Sequence, residues 1–269
     1  MTIEYMPKQN KLLRTLPVED YQRIKPSLEL ISMPLNRIVY EAGCELHYAY
    51  FPISCIVSKF YITQNGASSE IAMVGNEGVI GTSLFMGGKT MMDSAVVRSA
   101  GYAYRIRANL FLQELNRFGG LRNGALKLLM FRYTQALLTQ IAQTAVCNRF
   151  HSVDQQLCRW LLHSLDRLHS NELLITQESI SNMLGVRRES ITDAARKLQS
   201  AGLINYQRGH ITILDRAGLE KQVCECYPVV KAEFDRLLPS PESLIVNTPY
   251  RQNVCEHNQI RHLPSRFGS

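Results

Sequence analysis

Leu174-Ile175-Thr176-Gln177-Glu178-Ser179-Ile180-Ser181-Asn182-Met183-Leu184-Gly185-Val186-Arg187-Arg188-Glu189-Ser190-Ile191-Thr192-Asp193-Ala194-Ala195-Arg196-Lys197-Leu198 is the stretch that decides the fold. Thr176 has the side chain of an N-cap, and Glu178 stands in the first turn, where the helix dipole favours an anion. Ile180, Met183 and Leu184 make one apolar face. Gly185 permits the left-handed backbone of a tight turn between two short helices. The second helix buries Val186, Ile191, Ala194 or Ala195, and Leu198. Arg188, Glu189, Thr192, Asp193 and Arg196 then share its opposite face. Residues 176–200 are therefore predicted to form a helix-turn-helix.

The residue types on that face suit a major groove. Arginine can donate two bonds to guanine O6 and N7, and glutamate can accept from cytosine N4. Recognition helices read bases near their N-termini, where Arg188 and Glu189 fall, with Thr192 one turn on. Arg196 and Lys197 lie further along, at phosphate-contacting positions, and Thr176, Arg187, Ser190 and Arg208 are expected to serve the backbone as well. A helical hairpin with a solvated charged face is the competing reading of these residues alone. The residues C-terminal to the second helix favour DNA: Leu203–Tyr206, Gln207–His210 and Ile211–Ile213 form a short hairpin around Gly209, which adds a wing. Across residues 176–221, seven Lys and Arg stand against five Asp and Glu, a net of 7 − 5 = +2 that allows DNA binding without requiring it.

Upstream, from Leu121 to about Cys147, the chain has no Pro and no Gly after Gly124. Leu126, Met130, Tyr133, Leu137, Gln140, Thr144 and Cys147 alternate in steps of four and three, and Leu128, Phe131, Leu138 and Ile141 form a second stripe beside them. One stripe can cover the chain's own core while the other meets a partner helix. Dimerisation is assigned to Leu126, Met130, Tyr133 and Leu137, with one helix buried in a monomer as the alternative. Asn148–His151 reads as a hinge, and Ser152 with Gln155 as the capping box of a new helix bearing Leu157, Trp160, Leu161 and Leu165 and ending near His169.

Residues 28–107 read as strands: Leu28–Ser32, Arg37–Tyr40, Tyr48–Phe51, Ile56–Ile62, Glu70–Val74, Ala95–Val97 and Tyr102–Ile106. Turn signals separate them, of which Asn65-Gly66 is the strongest, as a type I′ hairpin with both central residues at positive φ. Many short strands predict a small β-barrel or sandwich. The expected organisation is α+β: a barrel at 1–120, a long dimerisation helix and hinge at 121–150, a winged helix-turn-helix at 151–222, and a C-terminal helix with a flexible tail at 223–269. Pro239, Pro241 and Pro249 mark the tail.

The chain has 269 residues, 45% hydrophobic and 20% charged, as expected of a soluble protein, with a formal net charge of +7. A basic excess suits a polyanionic partner but is weak evidence by itself. No apolar run approaches the roughly 18–20 residues that span a bilayer, and the N-terminus carries no secretory pattern. A cytoplasmic protein without membrane association is expected. The seven cysteines are scattered and include no Cys-x-x-Cys pair, so neither a disulfide framework nor a zinc ribbon is expected.

With those residues in view, the sequence resembles the Crp/Fnr family, the cyclic-AMP receptor protein and its relatives. The resemblance is carried by Leu174-Ile175-Thr176, Ile180, Leu184-Gly185, Arg188-Glu189-Ser190 and Gly202-Leu203-Ile204. It extends more loosely through Glu41-Ala42-Gly43, Tyr50-Phe51-Pro52 and Gly75-Asn76-Glu77-Gly78-Val79-Ile80-Gly81. It implies an effector barrel, a homodimer paired through the long helices, and two winged helices entering successive major grooves of a pseudo-palindrome. RNA polymerase is an implied partner if the protein activates. Arg188 and Glu189 match the family's base-reading arginine and glutamate. Two departures stand out, one in the barrel and one in the helix-turn-helix. The family's phosphate loop has Gly-Glu followed by a phosphate-pairing arginine, whereas here Gly81 precedes Thr82 and the arginine position is Asp93, which would repel a phosphate. Cyclic AMP is therefore not the expected ligand, and no cofactor is predicted. Asp193 replaces the second base-contacting arginine of cyclic-AMP-responsive members; it either meets a base or pairs with Lys197.

Other chemistries find little support. Cys44 and Cys55 are too few and too far apart for the family's N-terminal iron–sulfur cluster, and nothing singles out His47 or Cys44 as a haem ligand. Cys224 and Cys226 would point about 200° apart on a helix, a poor geometry for one metal. The histidines, including His151, His163 and His169, show no metal-ligand spacing and read as solvated or capping. No metal site is expected. No Ser-His-Asp, paired-carboxylate or phosphate-loop pattern indicates an enzyme. The expected function is a sequence-specific transcription regulator with an unidentified effector. The alternative is a small-molecule-sensing adaptor that uses the winged helix for protein contacts.

Overall fold

Seven short runs rich in apolar residues at 29–107 form strands whose successive side chains point to opposite faces. The computed structural model describes residues 5–117, 124–168 and 170–238. Two short helices, α1 (Lys11–Thr15) and α2 (Val18–Ile24), precede β1 (Glu29–Met33), β2 (Ile38–Tyr40), β3 (Tyr48–Pro52), β4 (Ile56–Ile62) and β5 (Ser68–Val74). Then come α3 (Thr82–Met86), β6 (Ser94–Ser99), β7 (Gly101–Arg107) and α4 (Ala108–Leu115). Each expected strand is present with its ends within two residues. The strands pair antiparallel in two sheets, ordered β1-β7-β3 and β2-β6-β4-β5, which close on a core including Phe51, Ile53, Ile106 and Phe111.

The Asn65-Gly66 turn differs from expectation. Only Gly66 has positive φ, at 82°. Its amide donates to Thr63 O over 2.9 Å, and Thr63 N donates to Ala67 O over 2.8 Å. The loop is thus three residues long, a type I turn closed by one left-handed glycine, rather than a two-residue type I′ turn.

The long helix α5 (Ala125–Phe150) leads into α6 (Val153–Arg167). The expected boundary at 120/121 and the helix start at Leu121 lie outside the described residues, as do His169 and the tail from Pro239. The chain breaks later than expected: Asn148–Phe150 belong to the last turn of α5, and His151 and Ser152 turn extended. Ser152 and Gln155 form the capping box that their types predict. Leu126, Met130, Tyr133 and Leu137, assigned to dimerisation, are instead buried within the protomer, in the same cluster as the barrel core. Of the stripe beside them, Leu128, Phe131 and Leu138 face outward, at 51%, 49% and 58% exposed, while Ile141 packs partly against the barrel core. The two stripes are comparably apolar, so periodicity could not tell which one the barrel covers.

Beyond α6 the order is β8 (Glu172–Leu174), α7 (Gln177–Leu184), α8 (Arg188–Ser200), β9 (Ile204–Gln207), β10 (His210–Ile213), α9 (Arg216–Gln222) and α10 (Cys226–Leu237). The wing gains a third strand, in the order β8-β10-β9. Helix α10 returns to α5, with Phe234 edge-on to Tyr133 at 6.3 Å and Gln135 donating to Glu233 over 3.2 Å. The winged domain has its own core around Trp160, Leu161, Ile180, Ile191 and Leu198, which also takes in Ile56 and Met73 of the barrel. His163, read as solvated or capping, is instead buried in α6 beside Tyr227. Cys224 and Cys226 do not share a helix: Cys224 lies in the link between α9 and α10, and Cys226 is the first residue of α10. Among the described residues, no helix is long and apolar enough to cross a membrane.

Candidate nucleic-acid interface

Helices α7 and α8 are built as their residue types dictate. The Thr176 hydroxyl accepts from Ser179 N over 3.1 Å and caps α7. Gly185 has φ 66°, where a Cβ would be strained, and lets the chain turn at once into α8. Ile180, Met183 and Leu184 meet Ile191, Ala194, Ala195 and Leu198 in the domain core. Both alanines are buried, and Val186 packs at the margin. The opposite face of α8 is thereby left to solvent.

Arg187, Arg188, Glu189 and Arg208 are exposed, and their side chains make no hydrogen bond or ion pair among the described residues. Arg188 and Glu189 are the first two residues of α8. The other candidate contact residues are engaged. Thr192 Oγ1 lies 2.8 Å from Gln177 Oε1 and 3.1 Å from Arg188 O, so its hydroxyl joins α8 to α7 rather than standing free for a base. Ser190 is half-buried. Asp193 pairs with Arg196 at 3.1 Å, not with Lys197, which reaches Asp154 at the start of α6 over 2.8 Å. Such exposed pairs contribute about 0–1 kcal/mol, so a phosphate can displace the carboxylate.

The wing closes the other side of the site. Arg208 and Gly209, at φ 49° and 82°, form the two-residue turn between β9 and β10, with Gln207 paired to His210. These are the signs of a type I′ turn. Ile175 N donates to Gly209 O over 2.7 Å, and the Tyr206 hydroxyl donates to Ile175 O over 3.0 Å. Burial pushes the Tyr206 hydroxyl up to about 12, which keeps it a donor. Thr176, Gln177, Arg188, Tyr206 and Arg208 consequently line one open cleft. Gln177 and Tyr206 are not marked out by any local pattern in the sequence; their roles depend on where the wing folds back.

Inside the barrel, Asp93 occupies the position read as the cassette arginine's. It is buried, 3.0 Å from Lys59 Nζ, and accepts from the Tyr40 hydroxyl over 2.6 Å. Lys59 also donates to the Tyr40 oxygen over 2.9 Å. The negative charge is therefore matched by a lysine from β4 and faces no free site. Thr82 begins α3 after Gly81 and is buried, with its hydroxyl 3.9 Å from Met91 Sδ.

Residues 155–222 match the family model of the Crp-like helix-turn-helix domain. Several solved structures share the fold over most of the chain. A putative transcriptional regulator of the crp/fnr family from Eubacterium rectale is 19% identical with TM-score 0.60, over 80% of this chain and 98% of that one. FixK2 from Bradyrhizobium japonicum is 13% identical with TM-score 0.62, over 73% and 98%. The c-di-GMP-responsive global regulator CLP of Xanthomonas campestris is 18% identical with TM-score 0.57, over 74% and 100%. No curated protein matches by sequence.

Proposed function

From a chain that carries a Crp-like helix-turn-helix domain and has the fold of Crp/Fnr regulators, we propose a transcription regulator that binds a pseudo-palindromic DNA site as a homodimer. The observation that carries this reading is the pair Arg188 and Glu189, exposed and without a side-chain partner among the described residues, at the N-terminus of α8. They are the base readers; Thr176, Arg187, Arg196, Lys197 and Arg208 hold phosphates, and Thr192 positions α8 through Gln177. Leu128, Phe131, Gln135, Leu138, Ala142 and Ala145 are all exposed on α5 and recur in steps of three and four. That spacing is a coiled-coil seam, and it is the surface on which two copies pair. The barrel senses a ligand other than cyclic AMP, a reading supported by the Lys59–Asp93 pair that neutralises the cassette position.

Site selection from random duplex DNA with the purified protein tests the reading. A two-fold-related motif should emerge, and Arg188→Ala should lose about 1–3 kcal/mol of discrimination at one symmetric pair of positions. A variant that keeps the full motif would exclude Arg188 as a reader. In the same preparation, calorimetry with cyclic AMP should give no low-micromolar binding; such binding would overturn the reading of the barrel.

A further inference from the structure

Where α5 ends and the link from α9 to α10 passes beneath it, four ligand-type side chains converge. Cys147, His151, Cys224 and Cys226 place one donor atom each within 4.8 Å of all the others. Cys147 Sγ and Cys224 Sγ are 3.6 Å apart, and Cys226 Sγ is 3.5 Å from His151 Nδ1. In a tetrahedral zinc site, bonds of about 2.3 Å to sulfur and 2.0–2.1 Å to nitrogen put two sulfurs about 3.8 Å apart and a sulfur and a nitrogen about 3.6 Å apart. These two spacings are close to those of ligands around one small ion, and the other donor pairs all lie within 4.8 Å. We propose that Cys147, His151, Cys224 and Cys226 form a Cys3His site for Zn2+ that clamps the end of α5 to the C-terminal helix.

The surroundings fit the ion. The outer nitrogen of His151, Nε2, is 3.2 Å from Glu225 Oε1. A carboxylate there fixes the tautomer with the hydrogen on Nε2 and turns the Nδ1 lone pair toward the metal, as outer-shell partners of metal-bound histidines do. Three thiolates and Zn2+ sum to a charge of −1, which needs a cation in a buried site. Arg159 lies close to Cys147 and Cys226, is buried, donates from Nη1 to Thr144, and has an Nε without a partner among the described residues. Three sulfurs and one imidazole favour zinc over the harder Mg2+ or Ca2+. Four protein ligands leave no open position, so the site is structural rather than catalytic. A disulfide between Cys147 and Cys224 would use only half of the set and leave Cys226, His151 and Glu225 without a role. Loading releases up to three thiol protons and involves no change of oxidation state.

The test is metal content and does not depend on DNA binding. Full-length protein purified under reducing conditions without chelator should carry about one Zn2+ per chain by plasma mass spectrometry. Cys226→Ser and His151→Ala should lose most of it, while Cys44→Ser, an exposed thiol outside the cluster, keeps it. Chelator-stripped wild type titrated with Co2+ should develop thiolate-to-cobalt and tetrahedral d–d absorption that saturates near one equivalent and is bleached by Zn2+. Glu225→Gln should weaken that binding about ten-fold or more at unchanged stoichiometry. Should the ligand variants fail to fold, the wild-type titration decides alone. Stripped protein that binds neither ion tightly, an iron–sulfur absorption in the purified protein, or a Cys147–Cys224 disulfide that persists under the same reducing conditions would each overturn the site.

Discussion

Glu70 is an acidic residue of β5, yet its side chain is buried. Ser58 of β4 donates to it, and Arg98 of β6 and Arg159 and Arg167 of α6 act on it through space. Burial outweighs these and pushes the carboxyl up to about 7. Because the folded value lies above the unfolded one of about 4.3, the proton stabilises the fold fully below that value. The contribution is lost as pH rises through 7. Glu70→Gln is neutral throughout and should gain on wild type between pH 5 and pH 7.5, on the order of 1–3 kcal/mol. Urea denaturation at the two pH values measures the difference. An unchanged difference would mean that the arginines hold Glu70 ionised. Asp93 shows the same limit of residue-level reading. Its charge and its departure from the cassette arginine were visible in the sequence, but its partner Lys59 became evident only once β4 and β6 were paired.

At the scale of the element, α5 carries two apolar stripes, one buried against the barrel and one mostly exposed. Met130, fully buried against the barrel, belongs to folding. Leu138 is exposed, on the seam proposed for association. Met130→Ala should cost about 2–5 kcal/mol of stability and leave the oligomeric state unchanged. Leu138→Glu should leave the protomer folded and shift the protein to monomer in sedimentation equilibrium. A Leu138→Glu protein that remains fully dimeric would move the interface elsewhere. The existence of the helix and its capped successor α6 were legible, because N-caps such as Ser152 act within one turn. The duties of the stripes were not, because they depend on which side the barrel approaches.

Across the whole molecule, the winged domain sits against the barrel through a buried ionic contact. Arg167 of α6 donates to Glu77 over 2.9 Å, with side chains 4% and 9% exposed. It also donates to His163 O over 2.8 Å and approaches Gln140 Oε1 at 3.4 Å. Glu77 accepts from Gly75 N, and a Cβ at Gly75 would fall 2.6 Å from Arg167 Cβ, so glycine permits the approach. Arg167→Met leaves Glu77 buried without its cation and should cost about 3–5 kcal/mol in chemical denaturation. Adding Glu77→Gln should recover part of that loss. If the single variant loses less than about 1 kcal/mol, water already screens the pair and it does not hold the domains together. The same contact brings Met73 and Ile56 of the barrel into the core of the winged domain. The barrel and the winged domain thus share one packed cluster that includes Ile180, Met183 and Leu184 of α7.

The sequence by itself determined what adjacent residues decide together. It placed the seven strands, the capped start of α6, the helix-turn-helix around Gly185 and the exposed Arg188–Glu189 pair. Each depends on periodicity, a cap or a turn within a few residues. Only the tertiary structure decided which stripe of α5 is buried, what neutralises Asp93, and that Thr192 is held by Gln177. It also brought Cys147 to Cys224, 77 residues apart, and Arg167 to Glu77, 90 apart. The physical reason is that side-chain chemistry at those sites depends on distance in space. The closure of two sheets and the return of α10 onto α5 set those distances, and no local spacing encodes them.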